Sequence, residues 1–600
     1  MSTTLKIRKA QIITGYGPGS IISDVDGLNY LILAKRHWNP SINQRLKFVK
    51  DEFLRSKLKV DKLSTIKSAR NNRDFQSDIK AIRIPQWHYC SYCHRMYKVD
   101  YLNPTLPKCS NSECNSSRRR KSTLTPTRLL VVCKKGHLSD FPFDEFVHGS
   151  KDYGSHELLY KIDNRKTGLS GVIIQCVNCD KKKSLDGILS SEGLLKKGIG
   201  CSGDSPWLLD SQRKIVTEQC GEVAQAVQKS SSNIYFPIVV SSIYIPPTKL
   251  GFNQAVIDFF ESEQAQIVKS VVAANPSFTD NQIWGIACSI SQNLNEYSQN
   301  HEIRNDFLTY FKNPPGQTEC SFKENEYQAF TSGLSYTGNL DFQILKRKAS
   351  LYSEIISNYL DEVVLLKKIK MTRAFCGFTR ILPAEEMGTG FSRDQKIIEA
   401  YGSMNEVIVD EVKGEGLLLI FSDDKINDWI VSLNVVEEFN RLPASVKDDL
   451  IKQYESPTKF IMLHSFAHAL IAEISTLSGY STSSMAERIY VNNLNEKKMS
   501  GIMIYTADAD GEGSLGGLVR LGEPANLNLI FQNAIDKNSW CSSDPICSDY
   551  GIQGSTMANL AACHNCLILP ETCCEYFNQY LNRRYLNTEN YSDSIGFFSE

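Results

Sequence analysis

Eighteen cysteines stand in this chain of 600 residues, and most of them cluster. The first cluster, WHYCSYCHRMYKVDYLNPTLPKCSNSEC, holds Cys90, Cys93, Cys109 and Cys114 at C-x2-C-x15-C-x4-C spacing. Two residues between thiols let both sulfurs of one tight turn reach an ion about 2.3 Å away, and a second knuckle completes a tetrahedron. That is a zinc-ribbon signature. The second cluster is QCVNCDKKK…GIGCSGDSPW…TEQCGE, with Cys176, Cys179, Cys201 and Cys220 expected to share a structural zinc. Only its first half is closely spaced. Cys133 and His137 in CKKGH could substitute in either site, but read more simply as core or turn residues. The third cluster offers Cys541, Cys547, Cys563, Cys566, Cys573 and Cys574. Six thiols exceed a tetrahedral site, and Cys547, Cys563, Cys566 and Cys574 are favoured. Each set is complete in protein ligands, so up to three structural zinc ions are expected. Redox chemistry of the CxxC pairs would want a thioredoxin-like βαβ setting, which is missing.

Other stretches imitate active sites. His464 and His468 stand at i and i+4 on a helix, the spacing of HExxH zinc enzymes, but Ser465 occupies the position of the general-base glutamate. In YTADADGEGSLGGL, Asp508, Asp510 and Glu512 begin a calcium loop whose twelfth position is Val519 instead of glutamate. Gly511, Gly513 and Gly516 spell GxGxxG, yet the helix that should follow is weak and Pro524 cuts it short. Neither template holds. Between the first two cysteine clusters, SSRRRKSTLTPTR places Arg118, Arg119, Arg120, Lys121 and Arg128 together. Such a run can neutralise phosphates, and it can equally be a solvated loop. A metal-dependent nuclease or hydrolase built from His464, His468, Asp508 and Asp510 is the alternative to a non-catalytic role.

These residues must be positioned by elements. Gly15 to Gly19 reads as a turn between two strands, and residues 44–80 read as charged and helical. Residues 230–250 form an apolar, β-like stretch closed by Pro246 and Pro247. From about 252 to 370 the pattern is helical, ending in SEIISNYLDEVVLLKKIK (353–370) with apolar spacing of three and four. GEGLLLIF (414–421) and Ile502 to Tyr505 read as strands. SPTKFIMLHSFAHALIAEISTLSGY (456–480) is a strong helix, with Pro457 at its first position and Gly479 past its end. Its expected buried stripe is Phe460, Leu463, Ala467, Leu470, Ile474 and Leu477.

Lysine plus arginine equal aspartate plus glutamate at 67 each, so no bulk positive field holds the chain to nucleic acid. Hydrophobic content of 42% is that of an ordinary globular protein. No secretory signal or membrane span is read from the sequence, and the cytoplasm is the expected compartment. Thiols there stay reduced, which favours metal over disulfides.

Three stretches, LHSFAHALIAEISTLSGYSTSSMAERIY (463–490), GIMIYTADADGEGSLGGL (501–518) and CSSDPIC…ACHNCLILPETCCEYFNQYLNR (541–583), carry a resemblance. They resemble the C-terminal domain of unknown function shared by MrfA-like superfamily-two helicases and the DrmB family of the DISARM anti-phage system. TGYGPGSIISDVDG, SSSNIYFP and CGFTRILP are similar to the same family, so the likeness spans nearly the whole chain. It implies a non-catalytic, cytoplasmic partner of the DrmA helicase that binds DNA, including single-stranded or overhanging ends, and acts with a DISARM DNA methyltransferase. It also implies zinc at the C-terminal cluster, supporting Cys547, Cys563, Cys566 and Cys574. The expected architecture is α+β and multidomain: a β-rich segment at 1–85, a region of two four-cysteine zinc modules at 86–225, a β stretch and helices at 226–370, and a mixed α/β domain with its own four-cysteine site at 371–600.

Overall fold

A helix of 22 residues, Pro457–Ser478, is the central element of the C-terminal part. Proline at its first position needs no N–H partner there, and Gly479 ends it in the left-handed conformation at φ +75°. The expected apolar stripe is too narrow a description: every residue from Thr458 to Ile471 is buried, whereas Leu477 is 44% exposed. Among the described helices this one alone is long and apolar enough to cross a membrane, and 78% of that apolar window lies inside the protein.

The computed structural model describes residues 7–25, 27–67, 79–103, 105, 107–112, 114, 123–150, 156–163, 165–245, 252–260, 262–312, 319–331, 341–384, 392–492, 498–506, 517–549, 557–570, 573–588 and 595–599. It is a mixed α/β protein with cysteine clusters toward both ends and a helical middle. The chain divides into two compact units. One comprises residues 1–50, 58–240 and 373–410; the other comprises 51–57, 241–372 and 411–600.

The first unit is built from small sheets. Strands Ile21–Ser23, Asn29–Ile32 and Ala81–Arg83 form one, and Met96–Lys98, Trp87–Tyr89 and Thr125–Pro126 form another. A third orders Leu138–Asp140, Leu129–Val132 and Gln225–Gln228; a fourth orders Leu158–Ile162, Val172–Cys176 and Lys182–Ser184. Phe141, Phe143, Phe146, Leu158, Ile174 and Leu194 make a shared core. Arg380 is wholly buried here. Its guanidinium donates to the carbonyls of Gly136 and Gly19 at 2.9 Å and to that of Ile234. Burial pulls its pKa down to about 9.

In the second unit the sheet runs Leu360–Thr379, Glu406–Phe421, Ser500–Thr506, Met485–Val491, with Phe342–Lys348 on Leu360–Thr379; of the two long strands, residues 360–372 and 411–421 belong to this unit. Pro457–Ser478 packs on Met485–Val491, Ser500–Thr506 and the helix Pro524–Asp536. Helices Gln254–Phe260, Glu263–Ala274, Asp280–Ile290 and His301–Lys312 have a separate core around Phe259, Trp284 and Phe307.

Several elements depart from the sequence reading. A helix, Lys9–Thr14, and not a strand precedes the Gly15–Gly19 turn. Helix Glu52–Leu58 occupies only part of 44–80, flanked by strands Leu46–Phe48 and Lys62–Ile66. The stretch 353–370 is helical only to Tyr359 and then becomes the strand Leu360–Thr379. Val363, Val364, Leu365 and Leu366 are buried on both faces of the sheet, and a run of that kind carries no reliable period.

Candidate metal centres

Among the described residues, five groups of cysteine, histidine or glutamate each bring four ligand atoms within 4.8 Å of one another. Three lie in the first unit. Cys90 and Cys93 sit on the turn between strands Trp87–Tyr89 and Met96–Lys98, where the Cys90 carbonyl accepts from His94 N–H. Cys109 and Cys114 approach from a later loop, with Sγ–Sγ separations of 3.9 Å for Cys90–Cys114 and 3.6 Å for Cys93–Cys109. Four sulfurs at about 2.3 Å from a zinc stand ~3.8 Å apart, so this spacing fits. Burial opposes ionisation of Cys109, yet the Tyr97 hydroxyl and neighbouring thiols bring it down to about 7.

The expected quartet Cys176, Cys179, Cys201 and Cys220 is not brought together. Cys201 and Cys220 flank the hairpin Asp204–Leu209/Ile215–Thr217 and meet Cys133 and His137. Cys133 directly follows strand Leu129–Val132, and Cys220 lies just before the paired strand Gln225–Gln228; the two sulfurs are 4.0 Å apart. His137 Nδ1 lies 3.3 Å from Cys133 and 3.7 Å from Cys201, while its Nε2 is 2.9 Å from the Glu218 carboxylate. That outer contact assigns the proton to Nε2 and frees Nδ1 for a metal. Hydrogen bonding from Cys201, and then from His137, lowers the Cys133 thiol to about 4 against its burial. CKKGH thus brings a cysteine and a histidine into this candidate group, where the sequence reading treated them as core or turn residues.

Cys176 and Cys179 instead join His148 and His156. Cys176 ends strand Val172–Cys176 at a tight turn, and His148 ends helix Phe143–His148, which packs on that strand. His156 Nδ1 is 3.2 Å from His148 Nε2 and 3.5 Å from Cys176 Sγ. The His148 Nδ1–H donates to the Asp144 carbonyl at 2.8 Å and turns Nε2 toward the group. Sequence reasoning passed over both histidines; the paired histidines of HGSKDYGSH, upstream of the Cys176/Cys179 knuckle, were the available signal.

In the second unit, Cys541 and not Cys574 completes the set with Cys547, Cys563 and Cys566. The Cys541–Cys563 separation is 3.5 Å, and Cys547–Cys566 and Cys563–Cys566 are both 3.8 Å. Cys547 lies in the turn of helix Ile546–Asp549, and Cys563–Cys566 is a knuckle whose own N–H groups point at sulfur. Contact with Cys547, together with the nearby Arg583, holds the Cys566 thiol at about 5. Cys573 is a spectator that donates to the Thr482 carbonyl.

Cys574 is drawn elsewhere because its segment packs against the long helix. It meets His464, His468 and Glu487. His464 Nε2 is 3.1 Å from Cys574 Sγ and 2.9 Å from Glu487 Oε1, and His468 Nε2 is 3.4 Å from the same oxygen. Burial would raise the Glu487 carboxyl, but the two imidazoles outweigh it and hold it well below the usual range. Burial lowers His464 despite the carboxylate. Glu487 was not singled out from the sequence. Both histidines are wholly enclosed, a poor setting for hydrolysis of a macromolecule. Asp508 and Asp510 lie outside the described residues, as do Arg118, Arg119, Arg120 and Lys121. Arg128 is exposed just before strand Leu129–Val132.

The paired glycines end that undescribed stretch. A Cβ on Gly517 would stand 2.2 Å from the Tyr480 hydroxyl, so glycine at this position makes room for that ring. Leu518 N–H then donates to Glu415 at 2.8 Å.

Comparison with known proteins adds two family models and one relative. Residues 8–236 match a domain of unknown function (DUF8724), and residues 466–567 match the MrfA Zn-binding domain. The second match contains all of Cys541, Cys547, Cys563 and Cys566. The DISARM protein DrmB of Bacillus paralicheniformis is 29% identical over 586 residues, covering 93% of this chain and 96% of that protein. The resemblance read from short stretches therefore extends over 93% of the chain.

Proposed function

We propose, from that similarity to a DISARM protein, that this chain is a cytoplasmic, non-catalytic subunit of a DISARM anti-phage assembly. In this reading it docks on a DrmA helicase, helps the pair grip DNA with single-stranded or overhanging ends, and works beside the DISARM methyltransferase. The observation that carries the reading is the form of the ligand clusters. Cys90/Cys93/Cys109/Cys114, Cys133/His137/Cys201/Cys220, His148/His156/Cys176/Cys179 and Cys541/Cys547/Cys563/Cys566 each supply four protein ligands. A zinc held by four protein ligands has no position open for water or substrate, so it braces a fold and does not catalyse. These would be the structural zinc sites. The basic run ending at exposed Arg128 would supply phosphate contacts.

The test is co-expression with the helicase, followed by size-exclusion chromatography and DNA-binding titrations on blunt, overhanging and single-stranded DNA. The expected result is one co-eluting complex that binds DNA more tightly than the helicase alone. Arg128→Glu should weaken binding several-fold and flatten the salt dependence by about one counterion, the signature of a lost phosphate contact. A helicase whose elution and DNA affinity are unchanged by this chain would sink the proposal.

A further inference from the structure

The group formed by His464, His468, Glu487 and Cys574 uses none of the ligands of the neighbouring four-cysteine set. His464 and His468 stand one turn apart on helix Pro457–Ser478, Glu487 is on strand Met485–Val491, and Cys574 comes from the C-terminal segment. The first three are 0% exposed and Cys574 is 7% exposed.

The plain reading is a buried histidine–glutamate ion pair, and the hydrogen bonding argues against it. Among the described residues, neither oxygen of Glu487 has a hydrogen-bond partner, and neither has His468 Nε2, although these atoms crowd together. A buried carboxylate with neither oxygen hydrogen-bonded is strongly disfavoured, the more so when it carries a charge. No arginine relieves it from its own strand: Arg488, the next residue, points to the opposite face and binds Glu326 and Glu575. The nearest positive candidates are the two imidazoles themselves.

A divalent cation at the centre removes the difficulty. It accepts lone pairs from both Nε2 atoms, the carboxylate and the thiolate. The His468 Nδ1–H is already committed to the Leu567 carbonyl at 2.7 Å, which leaves Nε2 bare and aimed inward. One carboxylate and one thiolate against a charge of two give a centre that is neutral, the cheapest charge state to bury. Two imidazoles and a thiolate do not suit calcium or magnesium, which want oxygen ligands. Four mixed N, O and S ligands suit zinc and its near neighbours.

We propose that His464, His468, Glu487 and Cys574 bind one zinc-class divalent metal ion in a closed structural site. The ion ties the long helix to the sheet and to a segment 110 residues away in sequence. Closing so long a loop adds to its value as a brace.

The deciding experiment is diffraction from crystals of the wild-type full chain, recorded above and below the zinc edge. The expected result is an anomalous peak about 2.0–2.3 Å from His464 Nε2, His468 Nε2, Cys574 Sγ and a Glu487 oxygen. No peak there overturns the proposal, whatever the other centres hold. A peak there with empty cysteine-rich centres would leave this inference standing and overturn the zinc-braced reading of those centres instead. In parallel, Glu487→Gln and Cys574→Ser should each lower the metal content of the purified chain by one equivalent. A soluble variant retaining the full wild-type content counts as refutation; if both variants fail to fold, the wild-type map decides.

Discussion

What three of the candidate histidine ligands can do is decided by the other ring nitrogen. His137 gives Nε2 to Glu218, His148 gives Nδ1 to the Asp144 carbonyl, and His468 gives Nδ1 to the Leu567 carbonyl. Loss of such an outer partner typically costs 10- to 100-fold in metal affinity. Glu218→Ala should therefore release one metal equivalent to a competing chelator at about a tenth of the wild-type chelator concentration or less, with the other equivalents unchanged. Identical competition curves would show that Glu218 does not orient His137. The same contacts explain what the sequence could not reveal. Cys90 and Cys93 share one turn, so local spacing exposes their pairing. Cys133 meets Cys220 only because strands Leu129–Val132 and Gln225–Gln228 pair, and no spacing encodes that. His148 and Glu487 come from a helix end and a buried strand, where neither residue type announces a ligand.

At the scale of elements, the helix Pro457–Ser478 was legible because proline and glycine mark its ends and it is long enough to repeat its pattern. Leu470 is wholly buried and Leu477 is 44% exposed. Leu470→Ala should cost about 2–5 kcal/mol and Leu477→Ala under about 1 kcal/mol, read from denaturant midpoints. Equal effects would mean the helix is not packed on all sides. The strand Leu360–Thr379 was illegible as a strand. DEVVLLKKIK satisfies helical spacing locally, and pairing with Phe342–Lys348, which lies before it in sequence, decides the outcome. Tertiary pairing overrides weak local preference there. The contact of Gly517 with Tyr480 was not readable from the sequence, because the two residues meet only in the fold.

Across the whole molecule, the mixed α/β character, the clusters toward both ends and the helical middle could all be read from composition and cysteine spacing. The division into two units could not, because each unit is assembled from segments that are far apart in the chain. The first unit spreads its apolar residues over several small sheets, whereas the second has its largest core around one helix and one sheet, beside a separate helical core. Among the described cysteines only Cys179 is exposed, and it belongs to the set with His148, His156 and Cys176. Thiolate reactivity follows access. Mild peroxide should therefore oxidise Cys179 first and expel a single ion, opening residues 148–184 to protease while the enclosed centres keep theirs. Metal release followed by a chromogenic chelator, with peptide mapping of the modified thiol, checks this; simultaneous release from all centres would contradict it. A brace with one thiol facing solvent is also a fuse, so the chain's metal content would record the oxidant stress its cell has met.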